Sequence, residues 1–375
     1  MRQSTQVWLS VGIALLLGAG SLAACRIETG KVTDVPRLVV TDTLVLRPLF
    51  RLGDTPTLLF GTVRSAFFDR QGQLWVADGQ AATLYVFGPE GHLRQQVGRP
   101  GEGPGEFRRI GSMVRGMNDS VYVWDWGLQR LSVFTLEGTF VRAFSAAFGM
   151  WPLRGLPEGL LVMYVAPFRG GEDTDDRQRR RIVQLLRFDG SVQIDTVLTV
   201  PDAEYVILRG PNFVSVMAAP FGRQPIIRVD AAGHIWYGQT DQLALFRYDW
   251  RSGATQLMVR YRVPPVPVVQ AERDSLLQHF ELLREAAYSF PEYKPVFSDF
   301  MVNETGTRIW VALSRPYRVH MTSWVVFDGQ GRPLGVVPLA KHLEILAISE
   351  TRLAVLDSES QVVIVYELPE MLRTT

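Results

Sequence analysis

Between Leu74 and Gly138 the chain writes one pattern twice. The first copy reads LWVAD, a polar turn, LYVF and GPEG; the second reads VYVWD, a turn, LSVF and TLEG. Each copy holds two short runs of aromatic and β-branched residues, the types that fit a pleated, half-buried surface. An Asp closes the first run and a Gly turn follows the second. Asp78 stands six residues before Leu84, and Asp125 six before Leu131. That offset serves as a ruler for the rest of the chain.

Two further units keep the same offset: LAVLD (Leu353 to Asp357) leads to VIVY at Val363, and IWYGQ (Ile235 to Gln239) leads to LFRY at Leu245. Two more fit with longer turns, LLVMY (Leu160 to Tyr164) with LLRF at Leu185, and IWVAL (Ile309 to Leu313) with WVVF at Trp324. A small antiparallel sheet of this kind cannot bury both of its faces alone. Stacking such sheets around an axis buries the faces and shortens the exposed edges. The pattern therefore predicts an all-β, six-bladed β-propeller over residues 37–370, in preference to a β-sandwich with rhyming strands. The last unit lacks an outer strand, and the stretch around Leu38–Leu46 has no unit of its own. Pairing the two would close the ring and protect both edges.

Val269–Tyr288 departs from the strand pattern. Leu276, Leu277, Phe280, Leu283 and Ala287 fall on one helical face, and prolines flank the stretch, so one amphipathic helix is expected near 269–288. It serves either as packing on the ring or as a cap over one end. Arg169–Arg181, with its four acids and following arginines, reads as a solvated turn within the third unit.

The N-terminus sets the address. Arg2 precedes an apolar run from Val7 to Gly20, and small residues lead to Cys25, the only cysteine of the chain. Residues 1–24 read as a secretory signal peptide, and Leu-Ala-Ala-Cys resembles a bacterial lipobox, which implies lipidation of Cys25. Residues 25–36 are then the lipidated cysteine and a polar tether, and the membrane is a partner through N-terminal acyl chains. With one cysteine there is no internal disulfide. A net charge of +1 gives no basic excess for a nucleic-acid partner.

GRPGEGPGEF, Gly98 to Phe107, followed by a hydrophobic strand, VYVWD and LQRLSVF, resembles the NHL-repeat signature. The stretch is closer still to bacterial six-bladed β-propeller lipoproteins related to NHL proteins, and PFGRQPIIRVDAAG before IWYGQ and PEYKPVF before IWVAL resemble them too. Only the second unit has the signature Arg, Arg130, at its usual place. The resemblance implies an NHL-like six-bladed propeller at the periplasmic or outer face of a bacterial envelope. It implies little about activity, although some NHL-related proteins are metal-dependent lyases or lactonases. The glycine-rich loop lacks the Lys-Ser/Thr of a phosphate cradle; its glycines and Pro104 suit a tight crossing between blades, with Phe107 free to pack between sheets.

Catalytic residues remain unassigned. His92, His234, His279, His320 and His342 show no metal-ligand spacing such as HxH or HExxH, and there is no G-x-S-x-G elbow. No cofactor is expected under the main reading. Asp78, Asp125 and Asp357 share one repeat position, where a carboxylate caps the following turn or, from several blades together, faces the axis. The expected function is binding or scaffolding for a protein, peptide or glycan. The candidate surface is Asp78, Trp124, Asp125, Trp126, Arg130, Tyr164, Arg315, Tyr317 and Asp357, at one end of the ring, where aromatic and Arg side chains favour recognition. The rival is a hydrolase or lyase with a divalent cation in the central channel.

Overall fold

A computed structural model describes residues 35–117, 119–147, 149–165, 179–210, 213–280, 283–284 and 288–373. The predicted signal peptide, Cys25 and nearly all of the tether lie outside the described residues, as does most of the Arg169–Arg181 turn. No helix among the described residues is long and apolar enough to cross a membrane.

Six four-stranded antiparallel sheets form the ring. Their strands are called A to D from the axis outward. Blade 1 is Val63–Phe68, Leu74–Asp78, Thr83–Phe87 and Leu93–Val97; blade 2 is Ile110–Arg115, Ser120–Asp125, Arg130–Thr135 and Phe140–Ser145. Blade 3 is Met150–Leu156, Gly159–Val165, Arg180–Leu186 and Val192–Pro201; blade 4 is Pro225–Val229, Ile235–Gln239, Leu243–Asp249 and Ala254–Tyr261. Blade 5 is Phe297–Val302, Arg308–Leu313, Met321–Asp328 and Pro333–Ala340. Blade 6 takes Leu343–Ile348, Arg352–Asp357 and Val362–Glu367 from the end of the chain and Arg47–Leu52 from its beginning. The repeated pattern thus marks strands B and C of every blade. Each A strand lies beside the A strand of the next blade, and blade 6 meets blade 1.

Packing follows from this. Six apolar clusters fill the six junctions between blades. Trp75, Trp236 and Trp310 are fully buried in them, and burial of one such aromatic is worth about 1.5–3 kcal/mol. The Asp that opens the A–B turn also serves the core. Trp75 Nε1 donates to Asp69 Oδ2 at 3.2 Å, and Trp236 Nε1 donates to Asp230 Oδ2 at 2.9 Å. One carboxylate therefore fixes the turn and satisfies the indole.

Closure is non-covalent, as expected, but the closing strand is Arg47–Leu52 rather than Leu38–Leu46. Its partner is Val362–Glu367, with a bulge between Pro48 and Phe50. Pro48 is tolerated here because an outer strand needs its N–H groups on one side only. The earlier segment runs as a strap across two other blades. Leu38 N donates to Arg262 O at 2.9 Å, beside blade 4, and Leu44 N donates to Val336 O at 2.7 Å, on blade 5. Leu44 is buried there. A side chain at Gly335 would meet Leu44 Cγ at 2.7 Å, so this glycine makes room for it.

Two insertions interrupt the repeat. The hairpin Tyr205–Gly210/Phe213–Ala218 separates blades 3 and 4, and sequence periodicity gave no sign of it. The first helix between blades 4 and 5 spans Gln270–His279 within the expected 269–288, and is capped by Phe280, whose ψ of 79° is not helical; Leu283 and Arg284 are helical again, and 281–282 and 285–287 lie outside the described residues. No residue within Gln270–His279 is fully buried. Leu277 packs with Val206, Met217 and Leu283 in a small cluster that joins helix to hairpin, whereas Phe280 is 46% exposed. Ala287, assigned in sequence to the apolar face, lies outside the described residues.

Candidate functional site

Because the strands alternate in direction, all B–C turns and D–A connectors emerge at one end of the ring, here the mouth. The A–B and C–D turns emerge at the other. The nine candidate residues lie at or beside B–C turns, hence at the mouth, but they do not form one surface.

Asp78 and Asp125 are fully buried. Asp78 accepts from the backbone N–H groups of Gly61, Thr62, Gln80 and Ala81 at 2.7–3.0 Å. Asp125 accepts from those of Arg108, Arg109, Gly127 and Leu128 at 2.7–3.1 Å. Each carboxylate caps its own turn and also clamps the incoming connector to it. Neither carboxylate is open to solvent. Asp357 caps only its own turn, through the N–H groups of Glu359 and Ser360. Burial raises its pKa, but the hydrogen bonds from Ser360 and Glu359 outweigh this and hold the carboxyl below its ordinary value.

Trp124 belongs to the core between blades 2 and 3. Arg130 is occupied as well. Its guanidinium donates to the carbonyls of Glu102, Gly103 and Glu106 at 2.7–2.8 Å and so braces the glycine-rich loop. Within that loop the Glu106 carboxylate accepts from Gly103 N and Arg99 Nε, and these two bonds, the backbone one first, lower its pKa. A side chain at Gly101 would meet Glu106 Oε2 at 2.1 Å, so the glycine admits the carboxylate. Phe107 is fully buried between blades 1 and 2, as expected. Trp126 stays 41% exposed, with the Arg109 guanidinium 4.7 Å from its ring centre. Tyr164 is half-buried at the mouth end of its strand. Arg315 and Tyr317 share the blade 5 B–C turn.

That turn borders a cavity of about 620 Å³, within the usual range for small-molecule sites. Both insertions wall it, together with the connectors that carry them. At the base of the hairpin, the nearly buried Asp202 pairs with Arg181 and Arg179, from the described end of the predicted solvated turn. Lys294 ties the cavity walls together. Its ammonium donates to Glu272 on the helix and to Arg315 O at 3.0 Å, and lies 5.6 Å from the centre of the Phe221 ring. Phe221 has a φ of 59°. A bulky residue in that region costs about 1–3 kcal/mol and marks a backbone held by its surroundings, a feature that clusters at ligand clamps. Lys294, Phe221 and Lys341 were absent from the sequence-derived set. Two of them stand in PEYKPVF and PFGRQP, motifs that the sequence offered only as signs of fold.

The channel itself is bridged by charge. Arg228 pairs with Asp299 at 2.7 Å, and burial raises the Asp299 pKa against the opposing effect of Arg228. Arg154 of blade 3 makes a two-pronged pair with Glu304 in the blade 5 A–B turn, 2.5 and 2.9 Å, across the blade between them. Among the described residues no three His, Cys, Asp or Glu side chains are grouped to hold a metal ion. The five histidines are spread over both ends; His234 Nδ1, for example, lies 3.0 Å from Asp230 Oδ2.

Comparison with known proteins agrees with the architecture. The model of the family DUF5128, described as a 6-bladed beta-propeller, matches residues 59–178. A Bacteroides vulgatus structure from the DUF4221 family superposes with a TM-score of 0.57 at 11% identity, covering 88% of this chain and 98% of its own. A Bacteroides fragilis structure, described as a candidate exported protein, gives 0.54 at 12%, covering 89% and 98%. At these identities the likeness concerns fold alone. No curated protein matches the sequence. Ring, repeat and family model agree that this chain is a six-bladed β-propeller.

Proposed function

We propose that the chain is an exported binding module, anchored through lipid on Cys25 at the periplasmic or outer face of a bacterial envelope, which receives a protein, peptide or glycan partner at the mouth of the ring. The observation that carries the binding reading is the asymmetry of the mouth. Among the described residues the two neighbouring connectors 202–224 and 262–296 carry the longest insertions, and both wall the same cavity. Insertions placed on a rigid scaffold are where recognition concentrates. The address rests on the charged start, the apolar run and the single cysteine at the lipobox position.

A photo-crosslinking amino acid tests both parts in native envelopes. Placed at Phe280 or Tyr317 it should give discrete adducts, and placed at Gln71 or Gln330, on the opposite end, none. Cys25→Ala should release the protein from the membrane fraction. Equal adducts from both ends would refute the mouth as the binding end, and a Cys25→Ala protein still held in the membrane would refute the anchor.

A further inference from the structure

The cavity at the mouth has a charge pattern as well as a shape. Four basic side chains line it, Arg223, Lys294, Arg315 and Lys341, against two acidic ones, Glu204 and Glu272. Each acid already has a basic neighbour. Glu272 holds the buried Lys294 ammonium, and Glu204 accepts from the Arg223 backbone N–H at 2.9 Å with the Arg223 guanidinium 4.0 Å away. Arg315 and Lys341 have no side-chain hydrogen bond or ion pair among the described residues. Their charges are therefore uncompensated on one side of the cavity. The helix and hairpin contribute apolar surface to the same space, from Leu276, Phe280 and Met217.

Resting on the reading of the mouth as the binding end, we infer that the cavity takes an amphiphilic anion, an apolar group against the helix and hairpin with its negative charge toward Arg315 and Lys341. A neutral apolar ligand would leave two cations beside it without a counter-charge as water is displaced, and a cationic one would be repelled. The anion supplies what both partners lack. Lys294 is a positioning residue here, since its ammonium is already committed to Glu272, the Arg315 carbonyl and the Phe221 ring.

Fluorescence titration with anilinonaphthalene sulfonate and with its uncharged parent, phenylnaphthylamine, separates charge from apolar contact. The sulfonate should bind at one saturable site roughly tenfold more tightly than the parent, a factor within reach of one charge-assisted contact. Charge reversal by R315E together with K341E should remove that preference without lowering the melting temperature, because neither side chain makes a hydrogen bond or ion pair among the described residues. Filling the space with Leu276→Trp should weaken both dyes. Equal affinity for the two dyes, unchanged by charge reversal, would overturn the anion inference and leave the binding reading intact. Dye binding that Leu276→Trp does not weaken, or no saturable binding, would overturn both.

Discussion

Deleting residues 36–52 should abolish cooperative folding of the ring, whereas deleting only 36–46 should lower its stability and leave folding cooperative. The longer deletion removes the outer strand of blade 6, which pairs with Val362–Glu367 and places Leu52 in the core between blades 6 and 1. It also removes Leu44 and the four backbone hydrogen bonds of the strap. Ladder and strap bonds contribute about 0.5–1.5 kcal/mol each, and each buried leucine about 1.5–3 kcal/mol. The sum approaches the 5–15 kcal/mol that typically separates a folded domain from its unfolded state. The shorter deletion loses the strap alone, at a cost of roughly 4–9 kcal/mol on the same figures. Thermal melts followed by circular dichroism and by tryptophan fluorescence decide between the two. A cooperative, near-native melt for the longer deletion would refute closure by Arg47–Leu52. Equal collapse of both would return the closing role to the earlier stretch.

Asp125→Ala should destabilise the domain by about 3–5 kcal/mol, and Asp78→Ala by a similar amount. In each case four backbone N–H groups lose their acceptor at a buried site. An unpaired buried donor costs about 1–3 kcal/mol, and water entering the small void recovers part of this. Asp125→Asn keeps one acceptor oxygen but turns an amide toward a donor, so a smaller loss of about 1–2 kcal/mol is expected. Urea denaturation measures these differences directly. A clamping carboxylate and a ligand-binding one separate cleanly in this experiment. Removal of a clamp lowers stability and leaves dye affinity at the distant cavity unchanged. An Asp125→Ala protein as stable as the parent would contradict the clamp.

The B and C strands of the ring were legible because each is buried on both faces and carries its own apolar run. LWVAD and VYVWD are near-copies because they fill equivalent places between blades. The repeated Asp was legible as a position, and its dominant role as a cap follows from chemistry. What stayed hidden depends on partners far away in sequence. Nothing near Arg130 shows that its guanidinium is consumed by the carbonyls of residues 102–106, and nothing near Trp124 shows that its neighbours come from blade 3. The alternation from Leu38 to Phe50 reads as one or two strands, but the outer strand Arg47–Leu52 is mostly exposed, and nothing local shows which part of that stretch pairs with the end of the chain. The helix after blade 4 was legible from its own helical period, but the hairpin after blade 3 is a single insertion, and a repeat ruler is blind to what occurs once. Their meeting around Lys294 follows only from the ring, which sets two consecutive connectors side by side.

Hydrogen exchange with and without saturating anilinonaphthalene sulfonate tests the mouth as the binding end most directly. Bound dye should slow exchange in Ala219–Gln224 and Gln270–Phe280, the two segments that wall the cavity, with no change in the A–B turns. Protection confined instead to the channel strands around Arg228 and Asp299 would place the site on the axis and contradict this reading.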